Sequence, residues 1–158
     1  MDVFSSRDVD DLLAQAMTDP RRRKARALKP GNYTGVRPLL NAMLPGTYIQ
    51  PHLHPLENAD EYWSVLKGKI AAFSFNDLGD IKDYRVVSSE DGFPFVYIPQ
   101  GEYHTLVVVD NSAVISEITQ GPYNPDTYKK FASWAPSERP EDGEKARAYL
   151  QSLEGKLK

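Results

Sequence analysis

The stretch GTYIQPHLHPLENADEYWSVLKG, residues 46–68, decides how this chain is read. It sets His52 and His54 one residue apart, brings Glu61 after a short loop, and has a glycine at each end. His104 follows in PQGEYHTLVVV, residues 99–109. The chain has three histidines, and all of them fall in these two stretches.

Side chains two apart on a β-strand share a face. His52 and His54 on one strand therefore aim two imidazoles the same way, with Leu53 turned to the other side. Asn58 and Asp60 suit a turn, and EYWSVL (61–66) reads as the next strand. If that strand pairs back antiparallel, Glu61 faces the two histidines across the ladder. His104 adds a third nitrogen from a later strand. Three imidazoles and a carboxylate form a mixed nitrogen–oxygen site for a divalent first-row metal, with ligand distances of about 2.0–2.2 Å for zinc. Glu57 competes with Glu61 for the carboxylate role. Glu61 is preferred because it opens an apolar strand, whereas Glu57 lies in a polar loop.

At 158 residues the chain is long enough for one core and short for two. Its net charge of −3 argues against nucleic acid as the main partner. With no cysteine there is no disulfide frame and no thiolate, so a metal must take nitrogen and oxygen donors. MDVFSSRDVDDLLAQ lacks the basic start and apolar run of a signal peptide, and no apolar stretch reaches membrane-spanning length. The expectation is a cytoplasmic protein with neither a membrane nor a nucleic-acid partner.

Residues 6–18 read as an amphipathic helix with Ser6 as its cap and Val9, Leu12, Leu13 and Met17 on one face. The basic run Arg21–Lys24, with Arg26, is either a solvated turn or a clamp for a phosphate or carboxylate. Pro30-Gly31-Asn32 marks a turn before a strand over 36–44. In that strand Arg37 and Asn41 share a face that can meet a pocket. Tyr48 and Gln50 share parity with the histidines, so Tyr48 is either core or a substrate contact. Lys67-Gly68 reads as a hairpin turn, and strands follow at 69–75, 81–88, 93–98, 103–109 and 113–119. Glu117 reads as a structural carboxylate. The valines outside the His104 strand call for cover from a second layer or a partner subunit. After residue 121, prolines alternate with aromatics in an ordered loop, and 141–157 is helical. Short strands at this spacing indicate an all-β antiparallel barrel or sandwich.

These residues resemble the two cupin motifs. Gly46, His52, His54, Glu61 and Gly68 match the first, with six residues between His54 and Glu61 where three or four are usual. Gly92, Pro99, Gly101 and His104 match the second, whose final asparagine is replaced by Val108. Across most of the chain, PRRR (20–23), RPLLNAMLPGTYIQPHLHP (37–55) and GPYNPDTYKKFASWAPSE (121–138) resemble the WbuC-type cupin-fold metalloproteins. The resemblance implies a cupin double-stranded β-helix, a jelly-roll-like barrel with short flanking helices. The chain then divides into a helical arm (1–30), a barrel (36–120) and an aromatic loop with a terminal helix (121–158) of one domain. It further implies a metal site, a homodimer, and a link to surface-polysaccharide biosynthesis through the gene neighbourhood of some members.

The expected cofactor is a divalent transition metal, with iron, zinc, manganese, nickel and copper all compatible with these donors. The expected function is a metal-dependent enzyme on a small polar substrate such as a sugar derivative. Its chemistry would be of isomerase or lyase type, or oxygenase type with iron. The alternative is a non-catalytic binding or sensor protein whose metal anchors a small ligand. An enzyme needs a titratable group, apart from the ligands, near the open position. Tyr48 and Tyr103 are the nearest such groups by sequence.

Overall fold

The computed structural model describes residues 4–28, 35–55, 59–92, 94–120, 124 and 126–158. The chain forms eight strands: β1 (Arg23–Ala27), β2 (Val36–Met43), β3 (His52–Leu53), β4 (Glu61–Phe75), whose first half alternates between buried and less buried residues, β5 (Ile81–Ser88), β6 (Phe95–Ile98), β7 (Tyr103–Gln120) and β8 (Lys130–Phe131). Two helices, α1 (Ser6–Thr18) and α2 (Gly143–Glu154), flank them. Helix α1 spans the expected residues, but Ser5 rather than Ser6 caps it. The Ser5 side chain accepts from the Asp8 amide, and the Asp8 carboxylate accepts from the Ser5 amide at 2.8 Å. The turn expected at Pro30-Gly31-Asn32 and the competing carboxylate Glu57 lie outside the described residues.

All eight strands join one curled antiparallel sheet with β7 at its centre. One edge of β7 pairs with β2 and β3, and the other runs against the whole length of β4. β4 in turn pairs with β6 along its first half and β5 along its second. This arrangement corrects the expected route for Glu61. β4 does not pair with the histidine strand; Glu61 sits opposite Ile98 and Thr119. The curl of the sheet, not a shared ladder, brings it to the histidines.

The hairpin expected at Lys67-Gly68 and the break expected between the strands at 103–109 and 113–119 are both absorbed into long strands. Between the pairs Gly68↔Ala113 and Ile70↔Val108 the register shifts, leaving a bulge. Gly68 has φ +73°, and a Cβ there would overlap the Ser112 carbonyl oxygen, so glycine alone fits. The irregularity also changes which residues face inward. Trp63 and Val65 point into the barrel, but beyond the bulge it is Ile70 that joins them, while Ala71, Phe73 and Phe75 face out.

The outward faces are covered. Leu12 and Ala16 of α1 pack on Leu40, Ala42 and Val114. Leu150 and Leu153 of α2 pack with Phe73, Phe75, Tyr103 and Val107. The second layer expected over the β7 valines is thus α2, for Val107 at least. Inside the barrel Met43, Trp63, Ile70, Leu106 and Ile115 form an apolar cluster, which walls one side of the candidate site. Among the described residues no helix is long and apolar enough to cross a membrane.

Candidate metal centre

β3 and β7 set His52 directly opposite His104. His54 follows two residues after His52, and Glu61 arrives at the start of β4. Each of the four offers one donor atom, and these atoms lie within 4.8 Å of one another. Donors held at about 2.0–2.2 Å from one ion are at most about 4.4 Å apart, so small side-chain adjustments close the set. All four side chains are buried, none more than 3% exposed.

The outer nitrogen of every imidazole is tied to a main-chain carbonyl at 2.9 Å: His52 Nδ1 to Gln50, His54 Nδ1 to Tyr128, and His104 Nδ1 to Glu102. A carbonyl can only accept, so each Nδ1 carries a proton and each ring turns its Nε2 inward, the atom that a neutral imidazole leaves free to ligate. Glu61 Oε2 lies 3.1 Å from His54 Nε2 and 2.9 Å from His104 Nε2. The second of these contacts lacks hydrogen-bond alignment, leaving His104 Nε2 buried without a partner. Lone pairs of three nitrogens and a carboxylate converging in a buried space repel one another unless a cation lies between them. The donor set therefore fits a divalent metal.

The protonation states agree. Burial, followed by the nearby Lys129 charge, holds His52 well below its ordinary value, so it is neutral. Burial raises the Glu61 carboxyl, but its contacts with His104 and His54 outweigh this and keep it well below the carboxylate range. Neutral imidazoles and an ionised carboxylate are the forms that ligate.

A cavity of about 620 Å³ opens over the cluster, reaching His52 and Glu61 at its base and Arg21, Lys129 and Arg139 elsewhere on its wall. Asn41 lines it, and its Nδ2 donates to Glu117 Oε1 at 2.8 Å. Asn41 Oδ1 and Trp63 Nε1 are buried without hydrogen-bond partners among the described residues. An orphaned acceptor and an orphaned donor on cavity-lining residues suit a ligand bearing hydroxyl or similar groups.

Arg37 stands over the Tyr128 ring, 5.6 Å from its centroid, and Tyr128 packs on His54. Tyr48 is elsewhere. Residues 44–51 are not a strand, so alternation does not carry from His52 back to Tyr48. Its hydroxyl donates to the Pro136 carbonyl at 2.7 Å and its ring packs edge-on against Tyr149 of α2. Tyr103 likewise belongs to the outer cluster.

Glu117, read from the sequence as structural, is a titratable group that lines the cavity, with Lys129 and Glu138. Burial, with the Glu61 charge next, pushes its carboxyl up to about 7. Two steps separate it from Glu61 on the pairing of β7 with β4, a relation visible only once the long β4–β7 register is known. Lys129 and Arg139 come from the aromatic segment, and only the pairing of β8 with β3 brings that segment to the histidines.

The family described as Domain of unknown function (DUF6016) matches residues 4–87, a span that holds His52, His54 and Glu61. No curated protein matches the chain. Among solved structures, a recombinant oxalate oxidase in complex with glycolate is similar at 24% identity and a TM-score of 0.56, over 72% of this chain and 57% of that one. The capsular polysaccharide assembling protein CapF from Staphylococcus aureus is similar at 21% identity and a TM-score of 0.60, over 72% of this chain and 32% of that one. The DMSP lyase DddQ from Ruegeria pomeroyi DSS-3 is similar at 18% identity and a TM-score of 0.53, over 69% of this chain and 51% of that one. The likeness covers 57%, 32% and 51% of these three chains. At such identities it is a likeness of fold, and the fold is the cupin β-barrel.

Proposed function

This chain belongs to the family described as Domain of unknown function (DUF6016), and on that premise we propose that it is a metal-dependent cupin enzyme acting on a small polar substrate. The observation that carries the reading is the convergence of three inward-turned Nε2 atoms and one buried carboxylate at a cavity. His52, His54, Glu61 and His104 would hold the ion. When bound, it supplies Lewis-acid polarisation of a substrate oxygen or, as iron, dioxygen chemistry. Asn41 and Trp63 would orient the substrate through their unpaired polar atoms. Trp63 and Leu106 exclude water from one wall. Glu117 is the acid–base group within the cavity that an enzyme needs and a purely structural site does not.

We further read the protein as WbuC-type, a single domain over 1–158, with a sugar derivative of polysaccharide synthesis as substrate. Support comes from the sequence resemblance and from the shared fold of CapF, itself a polysaccharide assembling protein. Mass-spectrometric metal analysis of untagged protein tests the centre. The parent is expected to hold near-stoichiometric divalent metal, and His52→Ala/His104→Ala to lose it. Equal or absent metal in both overturns the reading.

The homodimer would use the exterior row Tyr97–Tyr62–Ile118 across β6, β4 and β7. Neither helix cluster includes these residues, and Tyr97 is 53% exposed. Sedimentation velocity is expected to show a dimer that Tyr97→Glu converts to monomer. A monomeric parent rules it out.

A further inference from the structure

A second cavity, of about 520 Å³, lies on the outer side of the Arg21–Arg23 turn against α2. It shares Arg21, Arg23, Ser137, Glu138 and Arg139 with the metal cavity, so the two meet at one wall. That wall is braced. Arg23 forms an ion pair with Glu138 and donates to the Tyr48 carbonyl at 2.6 Å. Glu138 also accepts from the Gln50 amide at 3.1 Å, next to the carbonyl that orients His52.

Arg21, Arg22, Arg23, Arg139 and Arg147 border this outer cavity, against the carboxylates of Glu138 and Glu154. The excess of positive charge is local, since the whole chain carries −3. It is only partly compensated. Arg23 is paired with Glu138, Arg21 Nε lies 3.6 Å from Asp19 Oδ1, and Arg22 Nε donates to the Pro45 carbonyl at 2.6 Å. The guanidinium groups of Arg139 and Arg147 have no hydrogen-bond or ion-pair partner among the described residues, and neither has the Lys129 ammonium on the inner side. Unpaired cations thus run from the metal cavity, through the shared wall, to the face of α2.

We propose that the outer cavity is a phosphate subsite. It binds the phosphate or diphosphate of an elongated substrate whose polar head lies over the metal centre. Guanidinium groups match phosphate oxygens with paired, charge-assisted hydrogen bonds, and the unpaired Arg139 and Arg147, beside the partly engaged Arg21 and Arg22, favour a multiply charged anion over a single carboxylate. The placement of the head rests on the metal reading above; the phosphate subsite does not.

Calorimetric titration of the full chain with inorganic pyrophosphate tests it. The parent is expected to bind with a dissociation constant below about 1 mM. Arg139→Gln/Arg147→Gln, two exposed positions, is expected to weaken binding on the order of tenfold or more while leaving the melting temperature unchanged. Parent protein stripped with a chelator and desalted is expected to bind as before. No binding by the parent, parental affinity in the double variant, or loss of binding on stripping each overturns the subsite; the last places the anion on the metal instead. Metal content, measured separately, decides the metal reading whatever the titration gives.

Discussion

Stripping the purified protein with a chelator lowers its unfolding temperature by about 8–16 °C, and readding one equivalent of the native metal restores it. A ligand that binds the folded state alone stabilises it by about 4 kcal/mol at a thousandfold excess over its dissociation constant. In a domain of this length each kcal/mol moves the midpoint by about 2–4 °C. The structure gives a reason for the full effect. Without an ion, an ionised Glu61 and three imidazoles are left buried together with no ligand to hold them in place. Scanning calorimetry before and after stripping checks this, and superimposable curves would refute the centre. Acid should act in the same direction. His52 is held neutral in the fold, so below its ordinary value near pH 6.5 the unfolded chain takes up a proton that the folded one refuses. Stability is then lost progressively as pH falls below that value.

Leu150→Asp leaves the chain unfolded at room temperature. Leu150 is 5% exposed and packs in the outer cluster under α2. The substitution forfeits about 1.5–3 kcal/mol of apolar burial and adds several kcal/mol for a carboxylate without a partner in that layer. Together these approach the entire stability of a typical domain, about 5–15 kcal/mol. Near-ultraviolet circular dichroism reports the loss, because Trp134 packs against Phe75, Tyr103 and Tyr149 in the same layer. Gln151→Asp, one position along and exposed, should leave the spectrum unchanged. A folded Leu150→Asp protein would show that α2 is dispensable cover.

The four donors could be read directly from the sequence because their chemistry is rare and their spacing local. His52 and His54 need only a strand, and three histidines in 158 residues leave few alternatives. Helix α1 was legible too, from the apolar spacing of Val9, Leu12 and Leu13 and its capping serines, although Met17 is exposed and Ala16 takes its place on the buried face. What failed was long-range. Lys67-Gly68 has the composition of a hairpin, but β4 continues because all of β7 lies beside it. Tyr48 shares parity with the histidines on paper, yet Pro45-Gly46 and the irregular chain after them cancel the count. The cations around the cavity come from segments that meet the histidines only through the β8–β3 and β1–β2 pairings. Nothing in their local sequence announces that meeting.

The three imidazoles are aimed by main-chain oxygens, those of Gln50, Glu102 and Tyr128. Every amino acid carries such an oxygen. Side chains at 50, 102 and 128 can therefore be exchanged without removing the groups that hold the ligand rings in place. A centre built this way keeps its geometry while the chemistry around it drifts. Of the three side chains, that of Gln50 lines the cavity, which makes position 50 the natural place to randomise when a new substrate is sought.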